Sequence, residues 1–325
     1  MNERDQILYS IATRIRDYRS DELSTPTPAH VARWIAQFDP KVQQPILSEM
    51  DHVLARSYVP QAEIDQFLSM VAKSGKLAGP NPKIFWSGVD FLDVSAAGSS
   101  QHWMLQRFRS VLGQLFGERT ATPRTNTFIY LDDFSFTGNR ILSDLTTWVE
   151  TSAPLRATVH IVVIGYHASG KHYADTQLAQ RALRAQKNIT FRWWKKIGIE
   201  DKLSNINSSD VLRPTSIPAD CGVHDYIATL KYKPTLRTPG NIGELKLFSS
   251  EEGRNLLEQE FLRAGVRIRG MCPSLGVYQR PLGNMVLETL GFGAMTVTAR
   301  NCPNNAPLVL WVGNPWYPLF PRRTN

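Results

Sequence analysis

Three apolar runs, TFIYL, ATVHIVVIGY and NITFRWW, follow one another between residues 127 and 194. The intervals between them, GNRILSDLTTWVE and HYADTQLAQRALRA, have helical periodicity. TFIYL and ATVHIVVIGY are continuous and not alternating, which is the pattern of strands covered on both faces. Strands of that kind separated by helices predict a parallel sheet of the α/β class. Upstream, KIFWSGVDF reads as a strand and turn. SSQHWMLQRFRSVLGQLF reads as a helix with Ser99 or Ser100 as its N-cap.

Before Gly79-Pro80-Asn81-Pro82 the pattern is helical throughout. Ile7, Leu8, Ile11 and Ile15 share one helix face, as do Ile46, Met50, Val53 and Leu54. Thr27-Pro28 opens one helix and Pro60 another, the latter carrying Ile64, Phe67, Leu68 and Val71. This predicts a helical lobe over 1–78 and an α/β domain over 79–325. Residues 198–248 are rich in turns, and SSEEGRNLLEQEFLRAG is a capped helix. AMTVTARNCPNNAPLVLWVG reads as two strands around a loop, giving a C-terminal strand extension.

Hydrophobic residues make up 42% of the 325 and charged residues 20%, so the composition is globular. No apolar run reaches the roughly 20 residues of a membrane helix. The charged, amphipathic start MNERDQILYSIATRIRDYR lacks the pattern of a secretory signal, and a cytoplasmic location is expected. Three scattered cysteines form no CxxC pair, and there is no HExxH or GxSxG. Neither a resident metal nor a serine nucleophile is expected. The net charge of +8 favours polyanionic partners, nucleic acid or phosphorylated ligands, although the basic clusters are short; RWWKK at 192–196 is one of them.

Within FIYLDDFSFTGNRI, Asp132 and Asp133 stand at the end of a buried strand, followed by a turn and a helix from about Arg140. Ligands of parallel sheets bind beyond the carboxyl ends of the strands. The helix start favours an anion. Gly138 lets backbone approach closely, and Thr137 offers a hydroxyl. Carboxylates repel phosphate, so the acids must face something else, and the vicinal hydroxyls of a sugar fit. The combination points to a ribose phosphate, with the diol on the acids and the 5′-phosphate in the turn. Helix capping is the competing explanation for the acids, but a cap needs one acid and no glycine turn. A second signal lies in GYHASGKH, nearly a phosphate loop, with His172 where the magnesium-binding hydroxyl should be. Lys171 could still reach a phosphate from the neighbouring strand end.

The order strand, acid pair, short turn, Thr-Gly, helix resembles the phosphoribosyl-pyrophosphate loop of type I phosphoribosyltransferases. The resemblance implies that Asp132 and Asp133 hold the ribose hydroxyls. It implies that Phe134, Ser135, Phe136, Thr137, Gly138 and Asn139 form the phosphate turn, with Arg140 next to it. That family usually has a small or hydroxylated residue where this chain has Phe136, and Thr where it has Arg140. By position, Gly98, Ser99 and Ser100, with Arg107 nearby, match the loop that holds pyrophosphate. Mg²⁺ would then enter as a companion of the substrate.

With the helical N-terminal region, GSSQHWMLQRF and the C-terminal LGFGAMTVTARNCPNNAPLVLW, the chain is similar to phosphoribosyltransferase-like effectors of prokaryotic conflict systems. These occur in antiphage loci, including retron loci beside a reverse transcriptase. The resemblance implies an effector or toxin kept silent by partner proteins of its locus. Two functions stay open: a phosphoribosyl or glycosyl transferase acting at the sugar C1, or an inert module of the same fold that binds nucleic acid or a protein.

Overall fold

The computed structural model describes residues 1–94, 99–117, 125–287 and 289–322. Two compact units divide the chain: Met1–Gln61 together with Glu200–Asn325, and Ala62–Ile199. In sequence, the second is inserted between the two halves of the first.

The first unit begins with α1 (Glu3–Arg14), α2 (Pro28–Ile35), α3 (Pro40–Ser57) and the short strand β1 (Tyr58–Val59). Thr27 caps α2 and Asp39 caps α3, each followed by proline at the first helical position, where the missing N–H costs nothing. The inserted unit follows with α4 (Gln61–Lys73), α5 (Gly75–Ala78), α6 (Pro82–Gly88), β2 (Asp90–Leu92), α7 (Ser99–Phe116), β3 (Thr127–Ser135), α8 (Asn139–Thr151), β4 (Arg156–His167), α9 (Ala168–Arg184) and β5 (Asn188–Ile199). The chain then returns to the first unit with α10 (Cys221–Ala228), α11 (Glu251–Met271), β6 (Gln279–Arg280), β7 (Gly283–Asn284), β8 (Val297–Thr298) and α12 (Leu308–Trp311). Among the described residues no helix is long and apolar enough to cross a membrane.

The inserted unit has the predicted α/β architecture. Its sheet has the order β2-β3-β4-β5, with every neighbouring pair parallel. Val159, Ile161, Val162, Val163 and Ile164 of β4 are all fully buried, as a strand covered on both faces must be. Ile141, Leu145 and Trp148 of α8 and Leu178 and Ala182 of α9 pack with Tyr130, Val159, Ile161 and Val163. The segment expected as strand and turn, KIFWSGVDF, is mostly the helix α6. Pro82 sets its first turn, the Trp86 indole N–H donates to the Ala72 carbonyl at 2.7 Å, and only Asp90–Leu92 pairs with β3.

In the first unit, α1–α3 share one core with α11 and the C-terminal segment. Trp34 and Phe38 meet edge to face at 5.4 Å, Phe38 and Trp316 at 5.5 Å, and Tyr18 and Phe320 at 5.1 Å. Compact packing therefore divides the chain after residues 61 and 199, whereas the sequence pattern placed a boundary after 78. The expected two C-terminal strands are one short strand and one helical turn. Val297–Thr298 pairs in parallel with β1, while Leu308–Trp311 winds into α12 after Pro307. The Val309 carbonyl accepts the indole N–H groups of Trp34 and Trp316, both at 2.9 Å, which ties this buried turn to the core.

The turn-rich segment after β5 is held by buried charge. Arg254 and Glu258 of α11 are fully buried and meet at 2.8 Å, and Arg237 reaches Glu258 at 2.9 Å and Glu251 at 2.8 Å. Arg254 also donates to the carbonyls of Ser209 and Val211, at 2.9 and 2.7 Å. These bonds satisfy backbone that no strand or helix pairs.

Candidate functional site

β3 does not stop before the acid pair. It runs on to Ser135, with Asp132 opposite Val163, Phe134 opposite Gly165 and Ser135 opposite Tyr166 on β4. Gly165 permits this: a Cβ there would stand 2.3 Å from the Phe134 ring. The carboxylates therefore lie inside the last rungs of the sheet, Asp132 with 3% of its surface exposed and Asp133 with 8%.

Asp132 Oδ1 accepts the Ser100 hydroxyl at 2.8 Å and the Asp133 N–H at 2.9 Å. Ser100 lies in the first turn of α7, so this helix start is bonded to the acid pair. Asp133 Oδ1 accepts the Phe134 N–H at 2.7 Å. Tyr130, two residues back and on the same face of β3, donates to Asp144 of α8 at 2.8 Å, and its oxygen lies 3.5 Å from Asp132 Oδ2. Burial, and then the adjacent Asp133, push the Asp132 carboxyl up to about 8; the Ser100 hydrogen bond acts against that. The Tyr130 phenol is raised by burial and then by the Asp132 and Asp144 carboxylates. At neutral pH the acid pair thus holds a proton, so it can donate as well as accept.

The turn after the pair is pressed against α9. Gly138 has φ +76° and precedes α8 as its N-cap, a left-handed position that favours glycine. A Cβ on Gly138 would come within 2.2 Å of the Gly170 carbonyl oxygen, and one on Gly170 within 2.0 Å of the Phe136 carbonyl oxygen. The Phe136 ring lies 4.9 Å from Phe134 and 5.2 Å from His167, the last residue of β4. Thr137 Oγ1 accepts the Asn139 N–H at 3.4 Å, and Asn139 and Arg140 are exposed on the first turn of α8. Ser135 is buried, and its hydroxyl has no hydrogen-bond partner among the described residues.

The other expected site residues are placed as follows. Gly98 lies outside the described residues, and Ser99 opens α7. Arg107 is two turns further along that helix. Its guanidinium makes a two-pronged pair with Asp65 of α4, the closest contact being 2.6 Å. Lys171 pairs with Asp175 one turn on. The near phosphate loop is not a loop: α9 starts at Ala168, so Gly170 and Lys171 are helical. Its two glycines serve packing, Gly165 for the Phe134 ring and Gly170 for the turn. Tyr130 and Asp144 were not expected at the site. The strand's two-residue period was the available signal for Tyr130, whereas the position of Asp144 depends on how α8 packs. Among the described residues no cluster of three His, Cys, Asp or Glu side chains could hold a metal ion.

No curated protein and no solved structure matches the chain. The family model PRTase-CE matches residues 31–322, a span containing both the inserted sheet unit and most of the first unit. With a parallel sheet, an acid pair at its carboxyl edge and a left-handed glycine turn leading into a helix, this chain belongs to the phosphoribosyltransferase-like family PRTase-CE.

Proposed function

We propose that the chain binds a ribose phosphate, in the form of phosphoribosyl pyrophosphate or a nucleotide, at Asp132–Asp133 and the turn 134–139, and acts as an effector of an antiphage defence locus. One observation carries the ligand reading: a buried acid pair in β3 leads directly into the left-handed Gly138 and the N-terminus of α8. The acids suit the diol of a sugar, and the helix start suits its phosphate. The buried Ser135 hydroxyl at the end of β3, which has no hydrogen-bond partner among the described residues, is a further donor. The raised Asp132 carboxyl lets the pair offer one proton and several lone pairs to two hydroxyl groups. In such a site the protein positions the sugar and stabilises charge on the departing pyrophosphate. Mg²⁺ would arrive on the phosphates of the substrate. The effector role rests on membership of the family and on its resemblance to conflict-system proteins.

Two features favour the second reading, an inert module of the same fold. Asp132 already receives the Ser100 hydroxyl and a backbone N–H, and Phe136 puts a ring where the resembled enzymes have a small or hydroxylated residue. Titration of phosphoribosyl pyrophosphate with Mg²⁺ into wild type and Asp133→Asn, followed by calorimetry, separates the readings. Binding by wild type that weakens at least tenfold in the variant, with pyrophosphate released over time, is the result expected of the enzyme. Binding without release assigns an inert receptor, and no binding by wild type removes the ligand proposal.

A further inference from the structure

We infer that the open edge of the sheet at β5, together with the groove between β5 and α4, binds single-stranded nucleic acid. This does not rest on the ligand proposed for the acid pair. β5 is the last strand in the order β2-β3-β4-β5, so among the described residues no strand pairs with its outer side. Its residues 192–196 read Arg-Trp-Trp-Lys-Lys, three cations with no acid between them, in a chain of net charge +8. Arg192, Lys195 and Lys196 are exposed. The strand's period of two sends Arg192, Trp194 and Lys196 to one face, a cation, an indole and a cation at intervals of about 6.6 Å.

That face borders a groove of about 310 Å³ lined by Phe67, Met70, Val71, Trp194, Lys195 and Lys196. Met70 is 65% exposed at its rim. The indole of Trp194 has a fixed orientation: its N–H donates to His160 Nδ1 at 2.8 Å, and the two rings stack at 5.8 Å. Lys196 pairs with Glu63 at 2.9 Å, and both side chains are at least a third exposed. A phosphate can displace so wet an ion pair at little cost. Apolar and aromatic surface for bases beside exposed cations for phosphates is the pattern of sequence-tolerant single-strand binding. The rival occupant of an open edge is a strand from another protein chain. Lysines on an edge oppose that addition, whereas they favour a polyanion.

The test is fluorescence anisotropy with a fluorescein-labelled 15-nucleotide oligothymidylate over a salt series. The proteins are wild type, Arg192→Glu/Lys196→Glu, and Lys231→Glu/Lys233→Glu, whose lysines are exposed in the other compact unit. The expected result is binding by wild type and at least a tenfold loss in the β5 variant. The slope of log affinity against log salt should fall by about 1.4 there, as two single-strand phosphate contacts require. The Lys231/Lys233 variant should lose less than threefold. Equal losses in the two variants would reduce the binding to net charge and overturn the assignment. No binding by wild type, or full binding by the β5 variant, would also overturn it. If wild type ignores the oligonucleotide but sediments as a dimer that Thr190→Pro abolishes, the edge takes a protein strand instead.

Discussion

Gly138 and Gly170 meet backbone to backbone, with the turn after the acid pair lying on the first turn of α9. On helix propensity alone, alanine at position 170 would stabilise α9 by up to about 1 kcal/mol. The contact reverses that sign, because the new Cβ would come within 2.0 Å of the Phe136 carbonyl oxygen. We expect Gly170→Ala to destabilise by about 1–3 kcal/mol, the usual cost of overpacking. Gly113→Ala in α7, where a Cβ meets nothing within 4 Å, is expected to raise stability by about 0.5–1 kcal/mol. Thermal unfolding of both variants checks the pair. A melting point for Gly170→Ala at or above wild type would mean that the turn does not rest on α9.

The raised Asp132 carboxyl predicts a pH effect with a definite sign. In the folded chain it keeps its proton up to about 8, whereas an unfolded aspartic acid loses it near about 3.9. Between these values the folded state binds the extra proton, so the contribution of Asp132 to stability declines as pH rises through the window. Asparagine at 132 cannot ionise and can still accept the Ser100 hydroxyl. Asp132→Asn should therefore gain on wild type steadily from pH 5 to about pH 8 and level off above it. Melting temperatures at unit pH steps measure the gap, and a constant gap would show that the carboxyl is not desolvated.

The strands of the inserted sheet were readable because TFIYL and ATVHIVVIGY are apolar without alternation, which only a doubly covered strand tolerates. The acid pair was readable for the opposite reason: two adjacent carboxylates after such a run conflict with burial and need a purpose. What the pattern did not carry is tertiary. LVLWVG has the composition of a strand, yet its Val309 carbonyl serves two tryptophan indoles and the segment coils as α12. GYHASGKH has the spacing of a phosphate loop, yet both glycines answer steric demands from Phe134 and from the 136–138 backbone, far away in sequence. Tyr130–Asp144 likewise depends on the docking of α8, which no local spacing encodes.

Glu258 is the anion between two buried guanidinium groups, Arg254 at 2.8 Å and Arg237 at 2.9 Å. It also accepts the Arg213 N–H at 2.9 Å, so three parts of the chain converge on one carboxylate. Glu258→Gln keeps the shape but takes the carboxylate from Arg254, while Arg237 keeps its pair with Glu251. A loss of about 3–5 kcal/mol is expected, the range for breaking a buried pair from one side. Urea unfolding measures it. A loss below about 1 kcal/mol would mean that Arg254 is neutralised elsewhere.

Phe136 is where the turn departs from the enzymes it resembles, and its replacement separates two accounts of that departure. The ring contacts Phe134 at 4.9 Å and His167 at 5.2 Å, so Phe136→Thr should cost about 1–2 kcal/mol in lost aromatic contact. If the ring only fills space that a phosphate would otherwise use, the added hydroxyl and the opened volume should strengthen binding of phosphoribosyl pyrophosphate at least fivefold, despite the lower stability. If the ring is itself a platform for the ligand, binding should weaken by a similar factor. Calorimetry on the folded variant, at a temperature well below its melting point, distinguishes the two. Strengthened binding would also explain the composition of the turn. Its backbone amides, Thr137 and the buried Ser135 would form an anion cradle already in place, with one aromatic side chain lowering its affinity.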